Sequence, residues 1–554
     1  MAKILGMDLS DDRLISIAAD LVDNHNYIGA LKMLNKNAGL SGNDEDSLML
    51  YAEIFDDMGL YEKCVNGWFK YMDNSDLIDI NECYEGLAMC YMNLGNEHFA
   101  AYYYNKLLME TDELDADARE DILRSFLSEG ENCLKFAYPP AIADCSEIFK
   151  SGIGYMKEGK FELACEEFEK VHEENPKFAS ARNYIAMCKI ISDKTEEAEQ
   201  ECLAILKRKP DDVQALTTLA AVKTEQQKSD EALSLANKLL NLNTTDSDDI
   251  YKIATVCCEN KLHKQAYDMF CRLGEEYDYD LNVLYFKAIS AFNAKMYDES
   301  FAAFDKLVTV FPESVTGEYY YKTARKLHEK GEWEELGYFY RLPTELRESS
   351  LKVLAASAKL PQKYAKKLSS QVDLSSCILW TFDECEGKGG GDLQLLAAQV
   401  AVACGKDEIV RDILLNAFID GRLKMEMLSL IAERNVFDCF GVVICNVYMR
   451  VSTQALDLGR VKRKMFIEAY AHLFAHFAIL DDDYSLTFAT ACEELYARLE
   501  SEGRLGDVKN TEALCAAIYQ LSEVRAADVD GEKIYSFFRT SKSAVDKILY
   551  NRRG

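Results

Sequence analysis

Residues of the same size class recur every 34 positions through the middle of this chain, and this spacing restricts its fold more than any other feature. One column of small residues comprises Ala164, Ala198, Ala232, Ala266 and Ser300. A second column comprises Gly152, Ala186, Ala220, Ala254 and Ala288. An apolar column comprises Phe168, Cys202, Ala236, Phe270 and Phe304, and a fourth comprises Pro176, Pro210, Thr244, Asp278 and Pro312. Four columns in register over five units predict a repeating structural element.

The chemistry of the columns indicates what each unit is. Small residues on two consecutive helices let the helices pack closely, and the apolar residue one turn later fills the gap to the next unit. A proline after the second helix ends it. This pattern at a period of 34 resembles the tetratricopeptide repeat, a stack of helix hairpins. The five units are 145–178, 179–212, 213–246, 247–280 and 281–314.

The same pattern occurs three times nearer the N terminus. The second-helix pairs are Ala30 with Leu34, Cys64 with Trp68, and Ala100 with Tyr104, and the first-helix small residues are Ala18, Ala52 and Ala88. After residue 314 the pattern fades. The stretch GEYYYKTARKLHEKGEWEELGYFYRLP is expected to form a helix pair with its turn at 331–333, as a capping unit, and GKGGGD at 387–392 is expected to be a flexible connector.

The sequence therefore predicts an all-α chain: a tetratricopeptide-like solenoid of about eight units in two arrays, followed by an all-helical C-terminal domain. Only 7 prolines and 28 glycines interrupt its 554 residues, which favours helix throughout. The expected domains are an N-terminal array of three units (1–112), a helical insert (113–144), the main array (145–314), degenerate or capping helices and a linker (315–388), and the C-terminal helical domain (389–554).

The net charge is −31, and it is concentrated near the N terminus, where residues 1–144 carry 28 Asp and Glu against 10 Lys and Arg. Such a surface would repel nucleic acid and anionic membranes and would favour basic partners or simply solubility. We expect no secretory signal, because the opening residues are too acidic and their apolar run is too short, and no membrane span, because no apolar run is long enough. With 18 cysteines that lack disulfide-like spacing, we expect a cytoplasmic protein.

Two Cys and His combinations invite a search for chemistry. In FELACEEFEKVHEENP, Cys165 and His172 vary between units while the column residues persist, so the stretch is interpreted as a stacking helix rather than a site. In HLFAH, His472 and His476 are spaced to face one metal on a helix, but Leu473 stands where the HExxH metalloprotease motif needs Glu. Packing is the favoured interpretation there, with metal binding left open.

The other candidate motifs are weaker. EGKGGGDLQ lacks the spacing of a phosphate-binding loop, and the short basic patch GRVKRK at 459–464 is interpreted as a helix surface. No nucleophile, base and acid can be nominated together from spacing. We therefore expect a protein that is not an enzyme and that needs no cofactor.

The resemblance implies a concave groove lined by the first helices. In the main array it implies that the groove-facing residues include Phe149, Ile153, Asn183, Met187, Thr217, Tyr251, Tyr285 and Ile289. These favour a partner with apolar anchors. The Lys and Asn pairing with which some family members bind a carboxylate is absent from these five units. In the N-terminal array the same positions include Asp23, Glu53, Asp56, Asp57 and Glu85, which favour a basic or amphipathic segment.

Two functions follow from the resemblance. The first is a non-enzymatic cytoplasmic scaffold or adaptor that binds peptide or helical segments of partner proteins in these grooves. The alternative is a regulatory sensor, in which the arrays bind a signalling peptide and the C-terminal helical domain is the effector. A metal-dependent enzyme centred on His472 and His476 is a distant third. Either groove could instead pack against the C-terminal domain of the same chain.

Overall fold

The computed structural model describes most of the chain. The described residues are 11–74, 80–110, 146–157, 159–170, 178–192, 194–242, 244–358, 373–384, 390–419, 423–424, 427, 431, 439–444, 446–452, 463–473, 483–522, 534–538 and 540–550. They are dominated by helices that pack in consecutive antiparallel pairs, as an all-α tetratricopeptide-like solenoid requires. In this part of the chain, no helix combines the length and apolar character that crossing a bilayer requires.

Three helix pairs form the N-terminal array. They are α1 (Asp11–Asp23) with α2 (Tyr27–Ser41), α3 (Glu45–Asp57) with α4 (Tyr61–Asn74), and α5 (Ile80–Asn93) with α6 (Glu97–Glu110). Five pairs form the main array. They are α7 (Ser146–Lys157) with α8 (Phe161–Phe168), α9 (Phe178–Ile191) with α10 (Thr195–Arg208), α11 (Val213–Glu225) with α12 (Ser229–Leu240), α13 (Ser247–Glu259) with α14 (His263–Leu273), and α15 (Leu281–Asn293) with α16 (Tyr297–Val310).

The 34-residue columns form the contacts between paired helices. Ala164, Ala198, Ala232 and Ala266 are all buried. A Cβ atom added to Gly152 would lie 2.5 Å from the ring of Phe168, so the first-helix column is small because the apolar column of the same unit packs on it. The interpretation of FELACEEFEKVHEENP as a stacking helix agrees with Cys165, which packs against this core; His172 lies outside the described residues.

Capping residues repeat at the same period, which the sequence reasoning missed. The N-terminal caps of α11, α13 and α15 are Asp212, Asp246 and Asp280, and Ser314 caps the helix that follows the array. Each side chain accepts a hydrogen bond of 2.9 Å from the backbone N–H three residues later. A capping residue every 34 positions ends one unit and begins the next, and this signal was present in the sequence.

The expected helix pair after the main array is wrong in its second half. Helix α17 (Val315–Lys330) forms and ends at Gly331, whose φ of +67° is the left-handed cap conformation that glycine adopts easily. Residues 332–343 then run without regular secondary structure to α18 (Thr344–Ala358). In this stretch Leu336 and Leu342 are buried and the residues between alternate inward and outward. That is the period of an extended chain rather than a helix.

Where the structure describes it, the C-terminal part is mostly helical, but it also contains a β-hairpin. Its helices are α19 (Leu374–Glu384), α20 (Gly390–Cys404), α21 (Asp407–Leu415), α22 (Arg463–Leu473), α23 (Asp483–Ser501), α24 (Thr511–Ser522), α25 (Ile534–Phe537) and α26 (Lys542–Leu549), with a 3₁₀ turn at Leu505–Asp507. Strands β1 (Cys439–Ile444) and β2 (Val447–Ser452) pair antiparallel, with Ile444 opposite Val447. The expectation of an entirely helical C-terminal domain is corrected by these strands, where β-branched residues are dense.

The expected connector at 387–392 is also corrected in part. Helix α20 begins at Gly390, so the last three of those residues are helical, and 387–389 lie outside the described residues. A helix that begins with two glycines has weak propensity at its start. Its later Ala and Val residues, from Ala397 to Ala403, are buried except at position 399, and they supply the packing that holds the helix.

The chain divides into two compact units. One comprises Met1–Tyr138, Val353–Ile378 and Gln394–Gly554, and the other comprises Pro139–Lys352 and Leu379–Leu393. In the first unit the hairpin packs on the N-terminal array, where Val443 and Val447 share a core with Phe69 and Tyr103. The hydroxyl of Tyr91 donates to the side-chain carbonyl of Asn446 over 2.9 Å. The C-terminal region thus completes the core of the N-terminal array.

Candidate functional site: an acidic pocket and an occupied groove

Helices α1, α3 and α5, the first helices of the three N-terminal units, surround a pocket of about 360 Å³. Its lining residues are Val22, Glu53, Asp56, Asp57, Trp68, Glu82, Glu85, Gly86 and Met89, called the acidic pocket below. Four of the five acidic groove positions inferred from the sequence lie here, and Asp23 is not among the lining residues. The first helices of successive units turn corresponding faces to the same side of the array. Residues of adjacent units, such as Glu53 and Glu82, therefore meet at this pocket.

Trp68 shapes this pocket from the second helix of the middle unit. Its indole is almost fully buried and lies against Gly86, where an added Cβ atom would come 2.3 Å from the ring. A residue other than glycine at position 86 would displace the indole or separate α4 from α5. The pocket therefore combines carboxylates with an aromatic wall, and Val22 and Met89 add further apolar surface.

The electrostatics of the acidic pocket favour a positively charged occupant. Partial burial, together with the charges of Glu82 and Asp57, raises the pKa of Glu53 above its usual range. Burial and the charge of Asp57 likewise raise the pKa of Asp56. Among the described residues, no Lys or Arg forms an ion pair with Glu53, Asp56, Asp57 or Glu85. The repulsion among these carboxylates is relieved by protonation or by a cationic group.

One cluster beside the pocket has the atoms of a metal site. Ligand atoms of Asp56, Cys64 and Cys90 lie within 4.8 Å of one another, and the two sulfur atoms are 2.9 Å apart. The contact with Cys90 and burial raise the pKa of the Cys64 thiol, which disfavours the thiolate that a metal needs. Cys64 also stands in the small-residue column. Close packing of two buried thiols accounts for this cluster, and we assign no metal to it.

The remaining Cys and His candidates show no assembled site in the described chain. The thirteen cysteines whose state the structure gives are free, and most are buried, as expected for small apolar residues. His472 lies on α22 and is half-buried, whereas His476 lies outside the described residues, so this pair is not tested. Of the basic patch, Arg463 and Lys464 begin α22, and the residues before them are also outside the described part.

The groove positions inferred for the main array differ widely in exposure. Met187 and Tyr251 are exposed, Ile153 is half-buried, and Asn183 and Thr217 are buried. The side chain of Phe149 lies outside the described residues. Tyr285 and Ile289 are completely buried. The structure therefore does not present these eight residues as one open surface.

The chain itself contacts this end of the main array. Residues 332–343, called the groove segment below, lie along α15, the first helix of the fifth unit. Asn293 holds both backbone groups of Leu336, since its carbonyl accepts from Leu336 N–H and its amide donates to Leu336 C=O, each over 2.8 Å. The hydroxyl of Tyr285 donates to the carbonyl of Phe339 over 2.9 Å. These contacts were not foreseen, because the segment was expected to be helical.

Comparisons with known proteins agree with the repeat pattern. A family model described as "Tetratricopeptide repeat" matches residues 155–222. A model described as "Anaphase-promoting complex, cyclosome, subunit 3" matches residues 225–307. No curated protein matches the chain.

Solved structures similar to this chain include repeat proteins of low sequence identity. Yeast Tom70 is 13% identical, with 90% of this chain and 98% of that chain covered and a TM-score of 0.28. A tetratricopeptide repeat protein from Parabacteroides merdae is 16% identical, with 52% and 98% covered and a TM-score of 0.22. The Cut9-Hcn1 hetero-tetramer of the APC/C is 10% identical, with 97% and 96% covered and a TM-score of 0.24. Because all these TM-scores are below 0.5, they carry no argument about this chain.

The assignment rests on the chain's own features together with the matching family models. The described residues contain eight helix pairs, three before residue 111 and five after residue 145, and within the main array the first helices begin close to every 34 residues. The small and apolar columns are buried where paired helices meet. The chain therefore contains tetratricopeptide-type repeats, and the matching family models fall within residues 155–307.

Proposed function

We propose that this protein is a non-enzymatic interaction scaffold, and that its acidic pocket binds a basic or amphipathic segment of a partner protein. The observation that carries the proposal is the convergence of Glu53, Asp56, Asp57 and Glu85 on one pocket lined by first helices of the N-terminal array. Tetratricopeptide-repeat arrays commonly act as binding surfaces for other proteins. The free, mostly buried thiols support a reducing compartment such as the cytoplasm.

The pocket offers contacts to both parts of a Lys or Arg side chain, the cationic head and the methylene stem. Carboxylates accept charge-assisted hydrogen bonds from the cationic head, and Arg can bind a carboxylate with two parallel bonds. Val22, Trp68 and Met89 offer apolar surface to the methylene stem. An acidic surface of this kind also accelerates the approach of basic partners and repels nucleic acid.

The proposal is tested with two 15-residue amphipathic helical peptides, which share a leucine face and carry either lysine or glutamate on the polar face. Fluorescence anisotropy with the full chain should show binding of the lysine peptide only. Replacing Glu53→Gln, Asp57→Asn and Glu85→Gln together should weaken it by at least about tenfold, since charge-assisted contacts are worth roughly 1.5–3 kcal/mol each. The matched control, Asp20→Asn with Glu493→Gln and Glu494→Gln, removes the same charge from exposed positions outside the pocket.

Equal affinity of the two triple variants would show that only net charge matters and would contradict the pocket as the binding site. The pH dependence adds a second check. Because the pKa values of Glu53 and Asp56 are raised, these carboxylates take up protons at a higher pH than ordinary ones. Binding of the lysine peptide should therefore weaken as the pH falls from 7 towards the usual carboxylate range. Glu53→Gln should reduce this dependence.

A further inference from the structure

We infer that the first-helix face of the fifth unit is a second binding groove, which takes an extended, acidic and aromatic protein segment in competition with the chain's own residues 332–343. The groove lies in the main array. It prefers an acidic partner segment, whereas the acidic pocket prefers a basic one. It extends the proposed scaffold function, and the two surfaces can be tested separately.

The groove holds its occupant largely through the backbone. Asn293, which is buried, makes two hydrogen bonds to the backbone of Leu336. Tyr285 donates to the carbonyl of Phe339, and Tyr320 donates to the carbonyl of Arg341 over 2.9 Å. Side chains that grip backbone groups act on any segment in the same extended conformation. The groove can therefore hold a segment from another protein as well as its own.

The side chains of the groove segment show which sequence is preferred. Leu336 is 6% exposed and packs in the core beside Tyr285 and Ile289. Two residues on, the Tyr338 hydroxyl contacts His263 Nδ1 at 2.8 Å. Two further on, Tyr340 packs edge-on against Tyr285 with ring centroids 5.0 Å apart, and its hydroxyl donates to Asp383 over 2.6 Å. The groove thus selects an apolar residue followed by two aromatics at alternate positions.

Charge at the rim adds a preference on the N-terminal side of this pattern. Lys261 lies 2.7 Å from Glu335, and Lys295 lies over the ring of Trp333 at 5.3 Å. Both lysines stand in the turns between paired helices, where their φ is positive. These exposed contacts are weak individually, but they favour acidic and aromatic residues before the apolar anchor. The partner's chemistry is therefore acidic residues, then an apolar residue, then alternating aromatics.

One feature distinguishes the groove segment from an ordinary part of the core. Its Phe339 side chain is 78% exposed and Trp333 is 46% exposed, so large apolar groups of the segment remain outside the packing. The segment is nevertheless tethered at both ends, by α17 and α18, which gives it an effective concentration on the order of millimolar. A partner of equal intrinsic affinity would therefore bind weakly unless the chain's own segment is weakened. Displacement would free Tyr285 and Asn293 for the partner.

The test uses a fluorescein-labelled peptide of residues 332–343, EWEELGYFYRLP, with the full-length protein. Leu336→Asp in the protein removes the anchor of the internal segment and leaves the groove residues unchanged, so the peptide should bind at least tenfold more tightly than to the wild type. Phe339→Asp is the matched control: this exposed side chain should not alter binding. Asn293→Ala combined with Leu336→Asp should abolish the gain, and a peptide carrying Asp in place of Leu336 should not bind.

Circular dichroism establishes whether each variant is folded. If Leu336→Asp does not fold, Tyr338→Ala with Tyr340→Ala weakens the internal segment more mildly, with the same expected gain. Failure of every folded variant to bind the peptide would overturn the inference and leave 332–343 as a fixed part of the fold. Repeating the measurement with the acidic-pocket triple variant separates the two proposals, because the peptide, with three glutamates and one arginine, should bind it unchanged.

Discussion

At the scale of single residues, glycine occurs on two first helices where an aromatic ring fills the space that a Cβ atom would occupy. Gly86 on α5 faces the indole of Trp68, and Gly152 on α7 faces the ring of Phe168. In both cases the ring comes from a second helix and occupies the same column of the repeat. The size of the glycine is what matters here, since neither position has a positive φ.

Gly86→Ala should destabilise the protein by roughly 1–3 kcal/mol, because the added methyl group would overlap the buried indole. Gly39→Ala is the matched control, since this exposed glycine on α2 has nothing within 4 Å of the added atom. It should be neutral or stabilising by up to about 1 kcal/mol through helix propensity. Urea unfolding followed by circular dichroism measures both. Equal effects of the two changes would show that the indole adapts without cost.

At the scale of elements, a nearly buried lysine links three helices of the main array. Lys223 on α11 lies 2.6 Å from Glu199 on α10 and 2.8 Å from Glu231 on α12. Hydrogen bonds from Lys223 and Gln226 hold the pKa of Glu199 below its usual range. Burial alone would lower the pKa of Lys223, but the two carboxylates raise it overall. The ion pair between Lys223 and Glu199 therefore stabilises the packing of the third unit of the main array on the second.

Glu199→Gln should lower stability by roughly 1–3 kcal/mol at neutral pH, because Lys223 loses its closer, less exposed partner. A lowered folded-state pKa means that the stabilisation is present above the unfolded value and is lost as the pH falls through the folded one. Wild type and variant should therefore converge in strongly acidic solution, below the ordinary glutamate pKa. Glu197→Gln, at a more exposed position on α10, should change stability by less than about 0.5 kcal/mol. A pH-independent difference in denaturant unfolding would contradict this account.

At the scale of the whole molecule, the N-terminal array shares its core with a region more than 300 residues away. Tyr448 on β2 donates to the Asp73 carboxylate over 3.0 Å, and Asn66 accepts from the backbone of Ala417. Asn446 lies in the hairpin turn and has a φ of +60°. None of these array contacts uses a residue that lines the acidic pocket. The polar contacts of the hairpin therefore leave the pocket residues untouched, and Trp68, which lines the pocket, shares the hydrophobic core that contains Val443 and Val447.

Asn446→Val should destabilise this unit by more than about 2 kcal/mol, because a β-branched residue strains at positive φ and the bond from Tyr91 is lost. Asn446→Gly keeps the turn and should cost only about 1 kcal/mol. Hydrogen exchange should rise in α4–α6 and in the hairpin together, and stay unchanged in α11–α15 of the other compact unit. Faster exchange confined to the hairpin would show that the array does not depend on it.

Much of the fold could be predicted because a repeat protein is built from local contacts. Each unit packs mainly on its neighbours, so a column such as that of Ala164 records the same contact several times over. The acidic pocket was predictable in the same way, since Glu53, Asp56 and Glu85 occupy groove positions of adjacent units. The capping column from Asp212 to Ser314 could also have been predicted from its period.

The sequence by itself determined the helix pairs, their buried columns and the acidic character of the first helices of the N-terminal array, because these depend on residues close together in the chain. The tertiary structure alone decided that Tyr285 and Ile289 are covered and that a hairpin completes the N-terminal core. Those outcomes depend on contacts between distant residues, from Tyr285 to Phe339 and from Tyr91 to Asn446. A segment outside the repeat has no period to follow, so it is placed by whichever distant surface can satisfy its backbone and bury its apolar side chains.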